Sequence, residues 1–477
     1  VSPQGRQRAG TAVLAALSLL CGWLALRPDS SGAAVETAPR PVWTPERLPA
    51  VLAEAQGSAD LERAVDELLA QSGARSCVAV YEGDRPVLLR RIDQPLIPAS
   101  TQKILVGAAL LAELGPDFRF ETKVVSDGPP RDGAVGTLWL VGSGDPLLAT
   151  PEYALWLKDR PRYRLRQPTP LAALADALRG AGVQAVTGSI LGDDSRYDRT
   201  RILPGWKASY VIDNEAGPLG ALLVNGGFTV YDPSQAADAA AAGGTPPVPP
   251  GEQRADEPAV HTASELTRLV AAAGIGVAGP AGAGTPPTGA QTLATVRSAP
   301  LSEIVAAMLR ESDNTAAELL VRELGVVKAG DGSTPAGTKV VAEALAAARL
   351  PTGGLYLADG SGLDVANRAT CDLLAGALRR PDPRNSGGPE LSPLLAVAGQ
   401  SGTLSRRLAD TPLAGKLRGK TGSLNGVTGL VGYVDGRRTL SFAFLANGTS
   451  LSDSAGRLLQ DRLVALLAAY PGPQPRL

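Results

Sequence analysis

Histidine is nearly missing from this chain. Its 477 residues contain one, His261, together with three cysteines and one methionine. One His and three Cys without metal-ligand spacing leave no material for a His-rich or thiolate metal centre, so neither metal nor cofactor is expected. A Ser–His–Asp scheme would have to recruit His261 itself, and a nucleophilic hydrolase built on this chain therefore needs a different base. Lysine is scarce as well: eight of the 46 basic residues. Net charge is −1 with no long basic or acidic block, which argues against a nucleic-acid partner and against a polybasic membrane patch. Aromatic residues reach only 4%, yet hydrophobic residues make up 44%, enough for a substantial core. The length exceeds one typical domain and predicts two or three.

The beginning of the chain carries an address. Arg6 and Arg8 precede an apolar run from Thr11 to Leu26, followed by Ser31-Gly32-Ala33, a small-residue cleavage pattern. The run is shorter than the roughly 20 residues of a spanning helix. Residues 1–45 are read as a signal or anchor segment with a Pro/Ser/Ala-rich tether, and residues 11–26 as the membrane tether if it stays uncleaved. The rest of the chain is expected to be secreted or anchored on the outer side of the cytoplasmic membrane. Cys21 follows Leu20 where lipidation wants a small residue. In an oxidising compartment Cys77 and Cys371 can form a disulfide; two buried thiols satisfy the sequence equally well.

Periodicity predicts a short helix over Leu61–Ala70 and a hairpin of Cys77–Tyr81 with Pro86–Arg90 around Glu82-Gly83-Asp84. A helix from Ser100 to Leu114 follows, bounded by Pro98 and by Gly115-Pro116. From Lys123 the texture becomes strand-rich, with a helix near Pro170–Gly182 and a second near Thr262–Ala273. Between these helices, the stretch from Ala236 to Gly251 lacks large apolar residues and reads as a loop. Helices near Ser302–Leu309, Glu318–Leu324, Thr338–Ala347 and Ala369–Leu378 come next. Strands at Gly419–Ser423, Leu430–Val434 and Thr439–Leu445 follow, and a last helix spans Ser454–Ala469 with Leu458, Leu459, Leu463, Leu466 and Leu467 on its apolar positions. The simplest assembly is one antiparallel sheet built from both ends of the chain, with the middle inserted as a separate module: an α+β multidomain arrangement.

Three short motifs carry chemistry. Ser100-x-x-Lys103 opens a helix, so hydroxyl and amine share one face; Ser100 also reads as a plain helix cap. Ser312-Asp313-Asn314 falls at a helix break, where it also reads as an ordinary turn. Lys420-Thr421-Gly422 lies in a strand. Each alone is weak, but in this order they describe an acyl-transfer site. Ser100 would attack a carbonyl, and Lys103, desolvated and near Lys420, would take its proton. Ser312 would relay a proton to the leaving nitrogen, while Asn314 would bond the substrate backbone or hold Lys103. Lys420 would supply positive potential for a terminal carboxylate. Thr421 and side-chain-free Gly422 would line the strand edge on which substrate lies, with the N–H groups of Ser100 and Ser423 as oxyanion hole.

The triple is shared by penicillin-binding proteins and class A β-lactamases. With Ser143-Gly144-Asp145-Pro146, Asp193-Asp194-Ser195, Leu223-Val224-Asn225, Ala317-Glu318, Asp359-Gly360-Ser361-Gly362 and Gly402-Thr403-Leu404, the chain resembles the low-molecular-mass class C penicillin-binding proteins, the DacB-type D-alanyl-D-alanine carboxypeptidases and endopeptidases. The resemblance implies a transpeptidase/β-lactamase-like domain, a five-stranded antiparallel sheet flanked by helices, over residues 46–122 and 297–477. It also implies an inserted domain over 123–194 and 257–296, with a smaller one nested at 195–256. It further implies peptidoglycan stem peptides and β-lactams as partners, acylation by penicillin at Ser100, and Asp193 at the amino end of a peptide side chain; as plain sequence, Asp193 reads as a turn residue. Where the family often continues Ser-Arg after Asp359-Gly360-Ser361-Gly362-Leu363, this chain has Asp364-Val365. A Glu-x-x-Leu-Asn motif typical of class A β-lactamases is missing, and Ser312-Asp313-Asn314 stands where class C lactamases and esterases usually have Tyr-x-Asn. The remaining alternative is a catalytically degenerate peptidoglycan-binding scaffold of the same fold. His261 and Trp206 are read as structural.

Overall fold

The strand Thr439–Asn447 runs through the middle of the main sheet and shows how both ends of the chain meet. It pairs antiparallel with Val427–Asp435 on one side and with Arg75–Glu82 on the other, in a register that sets Val78 opposite Phe444. The full order is Ala396–Val397, Leu417–Leu424, Val427–Asp435, Thr439–Asn447, Arg75–Glu82, Arg85–Arg90. This is the expected antiparallel sheet with a two-residue sixth strand on its edge. The computed structural model describes residues 48–230, 253–379 and 391–475. The N-terminal address segment and the Ala236–Gly251 stretch therefore lie outside the described residues. The chain divides into two units, Val1–Leu52 and Ala53–Leu477.

Side chains alternate across a strand, and here both faces are buried. Cys77, Ala79, Val431, Ala443 and Leu445 face the helices Lys103–Leu114, Leu301–Glu311 and Cys371–Arg379. Val78, Val80, Leu430, Phe442 and Phe444 face Leu61, Val65 and Leu68 of the helix Leu48–Ser72 and Leu459, Leu463 and Leu467 of the helix Asp453–Ala469. Burying one such side chain contributes about 1.5–3 kcal/mol, so the strand reads as an unbroken apolar run rather than an alternating one. Leu458, expected on the apolar face, is 49% exposed instead: it falls on the solvent side of the closing helix. The first helix begins well before the predicted Leu61–Ala70, because its N-terminal half, rich in alanine and interrupted by Gly57 and Ser58, shows little periodicity. Cys77 and Cys371 form a disulfide between a sheet strand and the helix Cys371–Arg379, with Cα atoms 5.9 Å apart.

The strand-rich middle forms a second, five-stranded sheet in the order Gly282–Ala283, Ile190–Asp193, Leu138–Val141, Glu121–Ser126, Gln291–Arg297. Its first three strands are parallel and the last two antiparallel to their neighbours. The helices Ala172–Gly180 and Pro258–Ala272 cover it, with Leu174, Leu178, Ala263 and Leu266 in the shared core. His261 sits in the first turn of the helix Pro258–Ala272, its Nε2 3.1 Å from the Phe228 carbonyl. Between the two halves of this sheet runs a mostly irregular segment. Its buried Tyr197, Leu203, Trp206 and Leu219 pack with Leu319 and Leu363 of the main domain, so this segment is welded to the wall beside the three motifs.

Candidate active site

Ser100 does not cap a helix. It lies in the 3-10 turn Ala99–Gln102, after which the α-helix Lys103–Leu114 begins, and no side-chain cap bond is made at this end. The tighter turn places residues i and i+3 almost in line, and Lys103 Nζ sits 2.9 Å from Ser100 Oγ. Lys103 is fully buried, and Nζ has two further partners: Asn314 Oδ1 at 2.6 Å and the Ser361 carbonyl at 2.6 Å. Both accept only. A neutral amine has two N–H donors and one lone pair, so donating to these two oxygens directs the lone pair at the Ser100 hydroxyl. Burial, which disfavours the ammonium, lowers the Lys103 pKa to about 8 against the opposing pull of Asp359 and Glu318. Desolvation, expected from the sequence together with proximity to Lys420, is the leading cause of this shift.

Asn314 thus holds Lys103, while its own amide nitrogen donates to the Glu215 carbonyl at 2.6 Å. The motif around it is a helix junction. Ser312 ends the helix Leu301–Glu311 in the left-handed region at φ 62°, and Asp313 caps the helix Asn314–Ala329 by accepting from Ala316 N at 2.9 Å. The turn reading and the chemical reading of these three residues are the same structure. A non-glycine residue at positive φ is uncommon; here it turns the Ser312 hydroxyl to Lys420 Nζ, 2.8 Å away. Lys420, also fully buried, donates in addition to the Thr421 carbonyl at 2.7 Å. Burial first, then repulsion from Lys103 and Arg162, push its pKa well below the ordinary lysine value.

The strand Leu417–Leu424 pairs with Val427–Asp435 through a two-residue link, Asn425-Gly426. Leu424 and Val427 therefore exchange the hydrogen bonds nearest the turn, and alternate residues, Ser423 and Thr421, turn their N–H and C=O away from the neighbouring strand. On that side the edge is open, since Ala396–Val397 pairs only with Arg418 and Gly419. Gly422 has a different task from the one expected. A Cβ there would meet the Pro98 carbonyl at 2.8 Å and Thr101 N at 3.1 Å, so its bareness admits the nucleophile turn rather than substrate.

Behind Lys103 stands a rigid support. Glu318, fully buried, accepts from Gly360 N at 2.9 Å and Ser361 N at 2.7 Å, fixing the peptide whose carbonyl meets Lys103. Asp359 accepts from Gly362 N, Asp364 N, Asn367 Nδ2 and Trp206 Nε1 at 2.7–2.9 Å. Trp206 therefore does more than pack: it ties the irregular segment to this loop. Gly362 is needed here, at φ 85° with a Cβ position 2.1 Å from the Ala99 carbonyl. Desolvation and the Asp359 charge raise the Glu318 pKa to about 7.

Ser100, Ser312, Asn314, Thr403, Thr421 and Ser423 line one cleft of about 860 Å³, together with Arg162, Tyr210 and Glu215 from the middle of the chain. Thr403 stands 3.3 Å from the Thr421 hydroxyl. A smaller hollow of about 250 Å³ adjoins it, lined by Arg162, Arg166 and Phe228. Asp193 lines neither. It is buried at a strand end and accepts from Ser195 N at 3.0 Å, which is the turn role. Arg162 and Glu215 were not singled out from the sequence, and Thr403 entered only within Gly402-Thr403-Leu404, without a role. The one available signal was four arginines within Arg160–Arg166 in a chain whose charge is otherwise evenly spread. Among the described residues no group of three or more His, Cys, Asp and Glu is placed to hold a metal ion.

Residues 61–249 and 249–470 match the family described as D-Ala-D-Ala carboxypeptidase 3 (S13). The chain is 33% identical over 377 residues to a carboxypeptidase of Mycobacterium tuberculosis, covering 76% of this chain and 73% of that one. It is 30% identical over 491 residues to the D-alanyl-D-alanine carboxypeptidase of an Actinomadura species, covering 89% and 87%. Among solved structures, penicillin-binding protein 4 of Haemophilus influenzae shares the fold, with a TM-score of 0.68 at 21% identity over 86% of this chain and 99% of that one. The chain belongs to the S13 family of D-Ala-D-Ala carboxypeptidases and is a serine-type peptidase.

Proposed function

We propose that Ser100 is the nucleophile of this peptidase, Lys103 its base, and the D-Ala-D-Ala end of peptidoglycan stem peptides its substrate, with D-amino-acid cross-links as a second substrate of the same site. The observation that carries the assignment is the set of three contacts at Lys103 Nζ, two to obligate acceptors and one to the Ser100 hydroxyl. The Ser100 proton passes to Lys103 as Oγ bonds to the penultimate D-Ala carbonyl carbon. The oxyanion lies between the N–H groups of Ser100 and Ser423, the latter on the open strand edge. When the tetrahedral carbon collapses, the C–N bond breaks and Lys103 passes its proton through Ser312, which Lys420 backs, to the leaving nitrogen, so Lys103 is neutral again. Water then attacks the ester carbonyl, Lys103 takes its proton, and that proton returns to Ser100 Oγ as the acyl C–O bond breaks. Thr421 and Thr403 are the hydroxyls offered to substrate in the cleft, while Gly422 serves by letting the strand approach.

We also carry forward the division into a catalytic domain of residues 46–122 and 297–477, an insertion of 123–194 and 257–296, and a nested piece of 195–256. The second sheet and the short pairing of Phe228–Val230 with Gln253–Arg254 support it. Action on peptidoglycan puts the protein in the cell envelope, and the apolar run before residue 27 makes it secreted or tethered there.

Incubation with a fluorescent penicillin tests enzyme against scaffold. The expected result is a covalent adduct on the wild type, located by mass spectrometry to Ser100 and lost in Ser100→Ala. Equal labelling of both, or none of the wild type, refutes the assignment.

A further inference from the structure

Four arginines crowd the segment between the helix Pro151–Lys158 and the short strand Thr169–Pro170. Three are committed. Arg160 lies over the Trp156 ring at 3.8 Å and donates to the Trp156 carbonyl at 2.9 Å. Arg164 reaches the Gln400 carbonyl at 3.5 Å. Arg166 is buried in ion pairs with Glu311 and with Asp313, the latter at 2.6 Å. Arg162 differs: its Nε and Nη2 both donate to the Glu311 carbonyl, and among the described residues no carboxylate pairs with it. Arg166 thus fastens the segment onto the second motif, and Arg162 is held by one edge of its guanidinium against the residue preceding Ser312, in the wall of the reaction cleft.

We propose that Arg162, contributed by the inserted region, anchors the C-terminal carboxylate of the peptide being cleaved. The inference rests on the serine-peptidase reading above. In a D-Ala-D-Ala terminus the carboxylate is bonded to the same carbon as the leaving nitrogen, and that nitrogen has to reach Ser312 to be protonated. The carboxylate then falls beside Ser312, where the Glu311 carbonyl pins Arg162. Guanidinium keeps its charge at every working pH and offers N–H pairs that suit a carboxylate. Lys420, expected to provide this charge, is fully buried and directs its Nζ to the Ser312 hydroxyl and the Thr421 carbonyl. The hydroxyls of Thr421, on the strand Leu417–Leu424, and of Thr403, in the 3-10 turn Gly402–Leu404, complete the cradle.

The test compares an acylated D-Ala-D-Ala peptide with the same peptide carrying a C-terminal amide, using wild type, Arg162→Ala and Arg162→Lys. Losing a charged hydrogen bond to substrate is expected to lower kcat/KM for the acid by about ten- to a hundredfold in Arg162→Ala. The amide should change little, so the wild-type preference for acid over amide collapses; Arg162→Lys should recover part of it. This ratio does not depend on the fraction of each variant that folds. Parallel losses on acid and amide, or an unchanged ratio, overturn the proposal and leave Arg162 as a prop for the Glu311 turn. Absence of a penicillin adduct on the wild type would overturn the underlying reading instead, whatever the arginine does.

Discussion

Burial disfavours the ammonium form of Lys103, against three oxygens that would stabilise it, and so suits this side chain to the base role proposed for it. Its pKa near 8 sets the direction of the pH profile. Below that value the ammonium dominates and cannot accept the Ser100 proton; above it the amine is free. Acylation of the free enzyme by penicillin is therefore expected to rise close to tenfold per pH unit up to about pH 8 and then level off, as second-order labelling rates across pH 5.5–9.5 would show. Glu318, with its own pKa near 7, and Asp359 act on the same lysine through the loop they hold. Neither carboxylate touches the cleft, so both are positioning residues.

At the scale of elements, catalysis depends on how closely a strand and a turn approach each other. Gly422 shares a strand face with Lys420, two residues away, and the space a side chain would fill is taken by Pro98 and Thr101. Gly422→Ala is expected to push the nucleophile turn off the strand, at a cost of about 1–3 kcal/mol from overpacking. Since Ser100 and Lys420 sit on the two displaced elements, activity should fall more than stability. Thermal melting together with penicillin labelling separates the two effects; unchanged labelling would mean that the turn is not held there. The junction at Ser312 obeys similar logic. One residue in the left-handed region ends one helix, its neighbour caps the next, and the hydroxyl between them is aimed by that geometry alone.

The whole molecule contributes through its insertion and its covalent tie. The middle of the chain brings Arg162, Tyr210 and Glu215 into the cleft, and Trp206 into the loop behind Lys103. The cleft is thereby walled by the main sheet on one side and by the middle of the chain on the other. The disulfide closes a loop spanning 294 residues of chain, holding the sheet to the helix Cys371–Arg379. Replacing both cysteines by serine is expected to destabilise the protein by about 2–5 kcal/mol, seen as a lowered Tm. Both sulfurs are buried and far from the motif residues in sequence, so penicillin labelling of the folded variant should persist; loss of labelling without loss of stability would contradict this.

Sequence alone pointed to the chemistry. Near-absence of His, few Lys, and Ser100, Lys103, Ser312, Asn314 and Lys420 in order read as the lysine-assisted serine site proposed above, because acyl transfer without an imidazole needs another base close to the hydroxyl. It also determined most elements, since strands such as Leu430–Val434 are short apolar runs bounded by turn residues and helices such as Ser302–Leu309 keep an amphipathic period. The tertiary structure decided what depends on distant neighbours. Gly422 faces a turn more than three hundred residues away in sequence, Asp193 ends in a turn outside the cleft, and Cys77 meets Cys371 only once the sheet is assembled. Burial of Lys103 is likewise a property of the packed helices around it, and no local pattern records it. Arg162 looked like one arginine among four; its place beside Ser312 follows from folding the insertion back over the second motif.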